Sequence, residues 1–162
     1  MTDELLILRC QLGEREALTE LVRAWHEPVW TYVRRMLDAE RADDVAQEVW
    51  LAVLKGLPRL KDPARFTPWL FTIARRAVMN RLRQQYGEAE PMEIEPQGEA
   101  PFDRAELIEG LAALPPKERE ILVLFYLEDL SIEDCAEICA IPAGTVKSRL
   151  NRARRLLRKE LA

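Results

Sequence analysis

The residues from Ile141 to Lys159, IPAGTVKSRLNRARRLLRK, restrict the architecture of this chain more than any other stretch. Val146, Leu150, Ala153 and Leu157 recur at i, i+4, i+7 and i+11, which draws one apolar stripe along a helix. Ser148, Asn151, Arg152 and Arg155 fall on the opposite side, and Lys147, Arg154 and Arg158 on a flank. Such a helix packs on its own domain with one face and meets an anion with the other. Pro142 and Gly144 lie in the turn that introduces it, and a shorter segment of helical pattern, Ile132 to Cys139, comes before the turn. This is the layout of a helix-turn-helix whose second helix enters a DNA groove. An amphipathic surface helix with a solvated basic face would show the same wheel, so the rest of the chain has to decide.

Charge at first argues against DNA. The chain has 24 basic and 28 acidic residues, a net charge of −4, and a pI near 5.3. The distribution reverses that reading. Between Pro63 and Gly87 there is no carboxylate, while Arg65, Arg75, Arg76, Arg81 and Arg83 are present. Between Lys147 and Lys159 there is again none. The acid is concentrated in residues 38–48, 88–109 and 128–137. Two basic segments separated by an acidic one suggest two contact points on a polyanion.

The chain in order reads as all-α. A short helix over residues 3–12 ends near Gly13, and a longer one over about 14–37 carries Pro28, where a kink or bend is expected. A third helix, over about 42–57, places Val45, Val49, Ala52 and Val53 on one stripe and Asp43, Asp44, Gln47 and Glu48 on its polar side. A loop over 58–66 leads to a helix over 67–86, whose apolar side is Phe66, Leu70, Ile73, Ala74 and Ala77 and whose broad outer face carries Arg75, Arg76, Met79 and Arg83. Residues 87–102, GEAEPMEIEPQGEAPF, are too rich in Gly, Pro and Glu to bury a core and read as a flexible acidic linker. Helices over 103–113, 116–127 and 132–139 then precede the opening helix, with Asp103 and Ser131 as caps. The expected organisation is two small helical domains, residues 1–86 and 103–162, joined by the linker 87–102.

Cys10, Cys135 and Cys139 are an odd set without a disulfide framework. Cys135 and Cys139 are one helical turn apart but have no His or third Cys nearby, which favours buried apolar packing over a metal. His26 is the single histidine. No catalytic constellation, phosphate-binding glycine loop or cofactor motif is evident, so an enzyme is disfavoured. The N-terminus has no signal-peptide pattern, and no apolar run reaches membrane-spanning length. A cytoplasmic protein without membrane insertion is expected.

Three segments, in order, resemble the extracytoplasmic-function group of bacterial RNA polymerase sigma factors. ADDVAQEVW (42–50) resembles the family's core-binding helix. FTPWLFTIARRAVMNRLR (66–83) resembles the helix that melts and reads the −10 element. The stretch from Leu111, with GTVKSRL (144–150) and RAR (152–154), resembles its C-terminal domain. The resemblance implies that Asp44, Gln47 and Glu48 bind the clamp helices of the polymerase β′ subunit. It also implies that Trp69 and Asn80 serve the −10 element, and the basic surface of Arg75, Arg76 and Arg83 beside Asn80 is expected to capture unpaired bases there. Lys147, Ser148, Asn151 and Arg152 fall where the recognition helix reads the −35 element. Arg and Lys suit guanine edges and Asn suits adenine, while Arg154, Arg155 and Arg158 suit phosphates.

The family implies the β flap as a second polymerase contact and an anti-sigma factor as a further partner. Its pattern often has Asn where Arg76 stands, and Ile and Leu where Cys135 and Cys139 stand. The linker carboxylates Glu88, Glu90, Glu93, Glu95 and Glu99 are expected to lie in a basic polymerase channel as a nucleic-acid mimic. Alternatives are a stand-alone helix-turn-helix regulator, which leaves residues 42–50 without a task, and a sigma mimic that titrates an anti-sigma factor, which has no need of the polar face of the last helix. With an acidic chain overall, the free protein is expected to bind DNA weakly and to gain affinity when polymerase holds both domains on one duplex.

Overall fold

The computed structural model describes residues 4–86 and 104–161. The linker, the cap at Asp103 and the linker glutamates lie outside the described residues. Among those described, every regular element is helical: α1 (Glu4–Gln11), α2 (Arg15–Met36), α3 (Ala39–Gly56), α4 (Phe66–Tyr86), α5 (Arg104–Ala113), α6 (Pro116–Leu122), α7 (Ile132–Cys139) and α8 (Ala143–Leu161).

The α2 helix runs through Pro28 without interruption. Proline removes one main-chain bond there. The stripe of Leu21, Val29, Tyr32, Val33 and Met36 is buried on both sides of it, and this packing holds the helix together. The next helix starts earlier than its apolar pattern suggests. Asp38 caps α3, accepting from the Arg41 amide at 2.9 Å. Asp43 and Asp44 therefore lie beyond the first turn, where the helix-dipole effect has faded. Their exposure on α3 is thus not explained by the dipole.

Phe66, Leu70, Phe71, Ala74 and Val78 form the buried side of α4, which packs on α2 and α3. Ile73 and Ala77, expected inside, are only partly covered. Two 3-10 turns, Leu57–Arg59 and Pro63–Arg65, occupy the connection before α4. Gln11 ties α1 to that connection, its side-chain amide donating to the Leu57 and Leu60 carbonyls at 3.1 and 2.8 Å.

In the C-terminal half, α8 lays Val146, Leu150, Ala153 and Leu157 into the space bounded by α5, α6 and α7. Ser131 caps α7, accepting from the Asp134 amide at 3.0 Å. The turn of the helix-turn-helix is made by Ala140, a left-handed residue at φ 56°. The Ile141 amide returns to the Ala136 carbonyl at 3.0 Å, as in a Schellman ending. Gly144 is already inside α8 and does not make the turn. The helix expected over 116–127 changes character at Leu122 and continues as a π-helical turn over Val123–Leu127.

The two halves pack against each other. The α7 helix lies on α4, while α2 meets α5, α6 and the π-helical turn.

Glu128, just after the π-helical turn, has a buried carboxylate oxygen without a hydrogen-bond partner. Burial, reinforced by the neighbouring Asp129 charge, pushes its carboxyl up to about 8. A carboxyl raised in the folded state costs stability wherever the unfolded state would ionise it. That cost grows as pH rises from the ordinary carboxylate range toward 8. Glu128→Gln should therefore raise the melting temperature by a few degrees at pH 8, and the gain should vanish near pH 4.5. Thermal melts of both proteins across that range check this; an equal gain at both ends would contradict it.

Candidate nucleic-acid interface

The first candidate surface lies where α3 and α4 diverge. They leave an open cavity of about 500 Å³ lined by Glu48, Val49, Arg59, Trp69, Thr72, Arg76 and Asn80, among others. Trp69 leans on Phe66 with ring centroids 5.9 Å apart, and Phe66 meets Trp25 edge-on at 5.7 Å. The indole is thus braced from below and partly exposed above. Gly56 makes this seating possible: a Cβ there would stand 3.1 Å from the Trp69 ring. The structure brings Trp69, Arg76 and Asn80 of the expected set into one cavity. Arg83 is exposed, further along α4. Arg59 and Thr72 were not legible as members, because Arg59 comes from the connection and Thr72 from the flank of α4. An aromatic platform beside amide and guanidinium donors suits an unstacked base.

Arg75 does not share that outer face. It turns toward the C-terminal half, and its Nε donates to both carboxylate oxygens of Glu120, at 3.0 and 3.2 Å. Glu120 is 1% exposed. It also accepts from the Tyr32 hydroxyl at 2.7 Å, and the Cys139 thiol lies 3.6 Å from its other oxygen. Burial pushes the Tyr32 phenol well up, and the facing carboxylate adds to the effect. Burial likewise pushes the Cys135 and Cys139 thiols up to about 12. They remain thiols, poor nucleophiles and poor metal ligands at neutral pH.

The second surface is α8. Lys147, Ser148, Asn151, Arg152, Arg155 and Arg158 are exposed on the side away from the buried stripe. Four of the expected contacts have intramolecular partners. Arg152 Nε donates to Glu118 at 3.1 Å. Arg154 Nε donates to the Tyr126 hydroxyl at 2.7 Å and lies over the Tyr126 ring, 5.5 Å from its centroid. Arg154 is a flank residue fixed by an aromatic ring, and its Nη1 donates to Asn151 Oδ1 at 3.2 Å. That bond leaves the Asn151 amide nitrogen pointing elsewhere. Ser148 donates back to the Gly144 carbonyl at 3.0 Å.

The exposed face of α3 carries Asp44, Gln47 and Glu48 in line with Leu51, which is 69% exposed, and Leu54. The two leucines escape a reading by periodicity because they stand outside the buried stripe. Glu48 also pairs with Arg81 of α4 at 2.6 Å. An apolar centre with an acidic edge is the composition of a protein-docking surface.

Comparison with known proteins identifies the family. Residues 21–87 match the Sigma-70 region 2 family and residues 104–157 match Sigma-70, region 4. The ECF RNA polymerase sigma factor SigC of Mycobacterium tuberculosis is 31% identical over 158 residues, covering 92% of this chain and 85% of the relative. The RNA polymerase sigma-H factor of Pseudomonas aeruginosa is 32% identical over 181 residues, covering 98% and 93%. In fold, the chain resembles CnrH, solved with the cytosolic domain of CnrY, at a TM-score of 0.74 and 22% identity over 97% of this chain and 95% of that one. It also resembles RpoE of Bartonella quintana, solved with the anti-sigma factor NepR, at a TM-score of 0.73 and 23% identity over 88% and 94%. With region 2 and region 4 both matched and relatives aligned along nearly its whole length, the chain belongs to the extracytoplasmic-function RNA polymerase sigma factors, which bind core polymerase and direct promoter-specific initiation of transcription.

Proposed function

We propose a division of labour among three surfaces. Residues 1–86 dock on the β′ clamp helices through the exposed face of α3 and take unpaired −10 bases into the α3–α4 cavity. Residues 103–162 read the −35 duplex with α8, and the linker 87–102 spans the distance between them. The supporting observation is α8 itself, with Lys147, Ser148, Asn151 and Arg155 exposed opposite a stripe that is buried end to end. Lys147, Ser148, Asn151 and Arg152 address bases. Arg155 and Arg158 address phosphates, and Arg154 positions Asn151 as well as adding positive charge. In the cavity, Trp69 stacks, while Arg76 and Asn80 supply hydrogen bonds.

The chain acts by binding rather than by catalysis, in the cytoplasm, where polymerase and promoter DNA meet. An anti-sigma factor is a natural further partner, since RpoE of Bartonella quintana, similar in fold, is held by one. The β flap is the second polymerase contact.

The test is reconstitution with core polymerase on a genomic promoter pool. Discrete run-off products establish initiation, whereas core binding without products would point to a mimic. On a promoter so found, Asn151→Ala should relax selectivity at one −35 position by about 1–3 kcal/mol. Arg158→Ala should weaken all sequences alike and flatten the salt dependence. If both variants behave the same way, the split between base and phosphate contacts fails.

Leu51→Ala should lower core affinity about tenfold, near 1.4 kcal/mol, with an unchanged melting temperature. Titration of labelled core reads this directly. Gly56→Ala should push the Trp69 ring aside and slow open-complex formation several-fold while leaving helicity intact. A variant that melts promoters at the normal rate would show that the Trp69 seat does not matter.

A further inference from the structure

Asn151, on the exposed face of α8, does not have both ends of its amide free. Arg154 Nη1 donates to Asn151 Oδ1 at 3.2 Å. A guanidinium has only donors, so the amide atom that faces it must be the oxygen. The Nδ2 group remains, with two N–H donors and no acceptor.

Arg154 is itself held from a second element. Its Nε donates to the Tyr126 hydroxyl at 2.7 Å, and its guanidinium lies over the Tyr126 ring, 5.5 Å from the centroid. Phe125 braces that ring edge-on, with centroids 5.0 Å apart. Tyr126 belongs to the π-helical turn Val123–Leu127. Such a turn is wider than an α-helical one and re-aims the side chains it carries. An arginine on an exposed helix flank would otherwise sample many rotamers in water. Two contacts from Tyr126 hold this one beside Asn151. Three side chains thus form a relay, Tyr126–Arg154–Asn151, from the π-helical turn to the face of α8 assigned to DNA.

We infer that Tyr126, acting through Arg154, fixes Asn151 as a donor-only reader, which selects guanine over adenine at the base it meets. The inference rests on the promoter reading above and names what one residue of that reading selects. An Asn with a free amide pairs with adenine through both ends: its oxygen accepts from N6 and its nitrogen donates to N7. With Oδ1 engaged by Arg154, that pair is lost. Guanine presents two acceptors to the major groove, N7 and O6, and the Nδ2 hydrogens suit both. Adenine puts the N6 donor where guanine has O6, and a donor that faces a donor leaves both unsatisfied. Residue type alone favours adenine here. The partner that reverses the choice lies 28 residues from Arg154 in sequence. Tyr126 touches no base in this scheme and is a positioning residue.

The test uses holoenzyme on a promoter from the genomic pool, with its −35 element randomised and run-off products counted by sequence. Asn151→Ala locates the position that Asn151 reads, as the one where selectivity collapses. There the wild type should favour guanine over adenine by about fivefold or more. Arg154→Ala frees Oδ1 and should turn the preference to adenine. Tyr126→Leu should move it the same way, and Tyr126→Phe, which keeps the ring without the hydroxyl, by less. Tyr126 is 48% exposed, and circular dichroism checks that its variants keep their helicity. A loss of stability would lower the yield from every sequence alike; it would not exchange one purine for the other at a single position.

A wild type that favours adenine at that position overturns the relay while the promoter reading stands. So does an Arg154→Ala or Tyr126→Leu holoenzyme that keeps the wild-type preference. An Asn151→Ala holoenzyme with unchanged selectivity at every −35 position overturns the relay and the base-reading role of Asn151 together.

Discussion

The folded arrangement depends on one buried carboxylate. Glu120 of α6 sits against α2 and α4 with 1% of its surface exposed, and it pairs with Arg75 at 3.0 Å. Arg75 and Tyr32, which meet it, both come from the other half. That pairing fixes where α2 and α4 lie against the C-terminal domain more sharply than apolar contact does, because hydrogen bonds to a carboxylate are directional and short. Tyr32 is held in turn by the edge of Phe71, with centroids 6.0 Å apart, so the core of residues 1–86 positions the hydroxyl that meets Glu120.

A charged contact at this position also sets the register of the two halves. An apolar interface derives its strength from area removed from water and would tie the two halves together regardless of register. A carboxylate with two defined partners has one good geometry. The surrounding ion pairs of Arg65 are exposed and contribute little each. Apolar residues of both halves belong to one continuous buried cluster, so the apolar core holds the contact and Glu120 sets its register.

Much of this was legible in the sequence, and the part that was not has a common cause. The α8 stripe of Val146, Leu150, Ala153 and Leu157 is buried as its spacing implies, because periodicity reports local amphipathicity. The carboxylates and Gln47 of α3 are exposed as expected. The start of α3 was misplaced because Asp38 caps a first turn, Ala39–Arg41, that carries no apolar stripe. Ala140 was missed as the left-handed residue because Gly144 nearby is the usual choice. Arg75 was assigned to an outer face together with Arg76 because a helical wheel shows which residues share a side, not which neighbour covers it. Its partner lies 45 residues away in sequence, across the linker, and nothing local marks Glu120 as buried.

The same long-range pairing explains how an acidic chain can be a DNA reader. Several basic residues on or beside the two DNA surfaces are matched to a carboxylate of the chain itself: Arg75 to Glu120, Arg81 to Glu48, Arg152 to Glu118 and Arg65 to Asp134 and Glu137. Any polyanion must displace these internal anions, so nonspecific phosphate contacts gain less than the arginine content suggests. The carboxylates involved are not idle once displaced. Glu48 lies on the α3 face assigned to polymerase, and drawing it into that contact would release Arg81. Protein docking and DNA docking are then coupled through shared side chains, each making the other easier. On the proposed assignment of these surfaces, net negative charge opposes stray binding by the free chain, and engagement of the acidic face by polymerase frees cationic groups beside it.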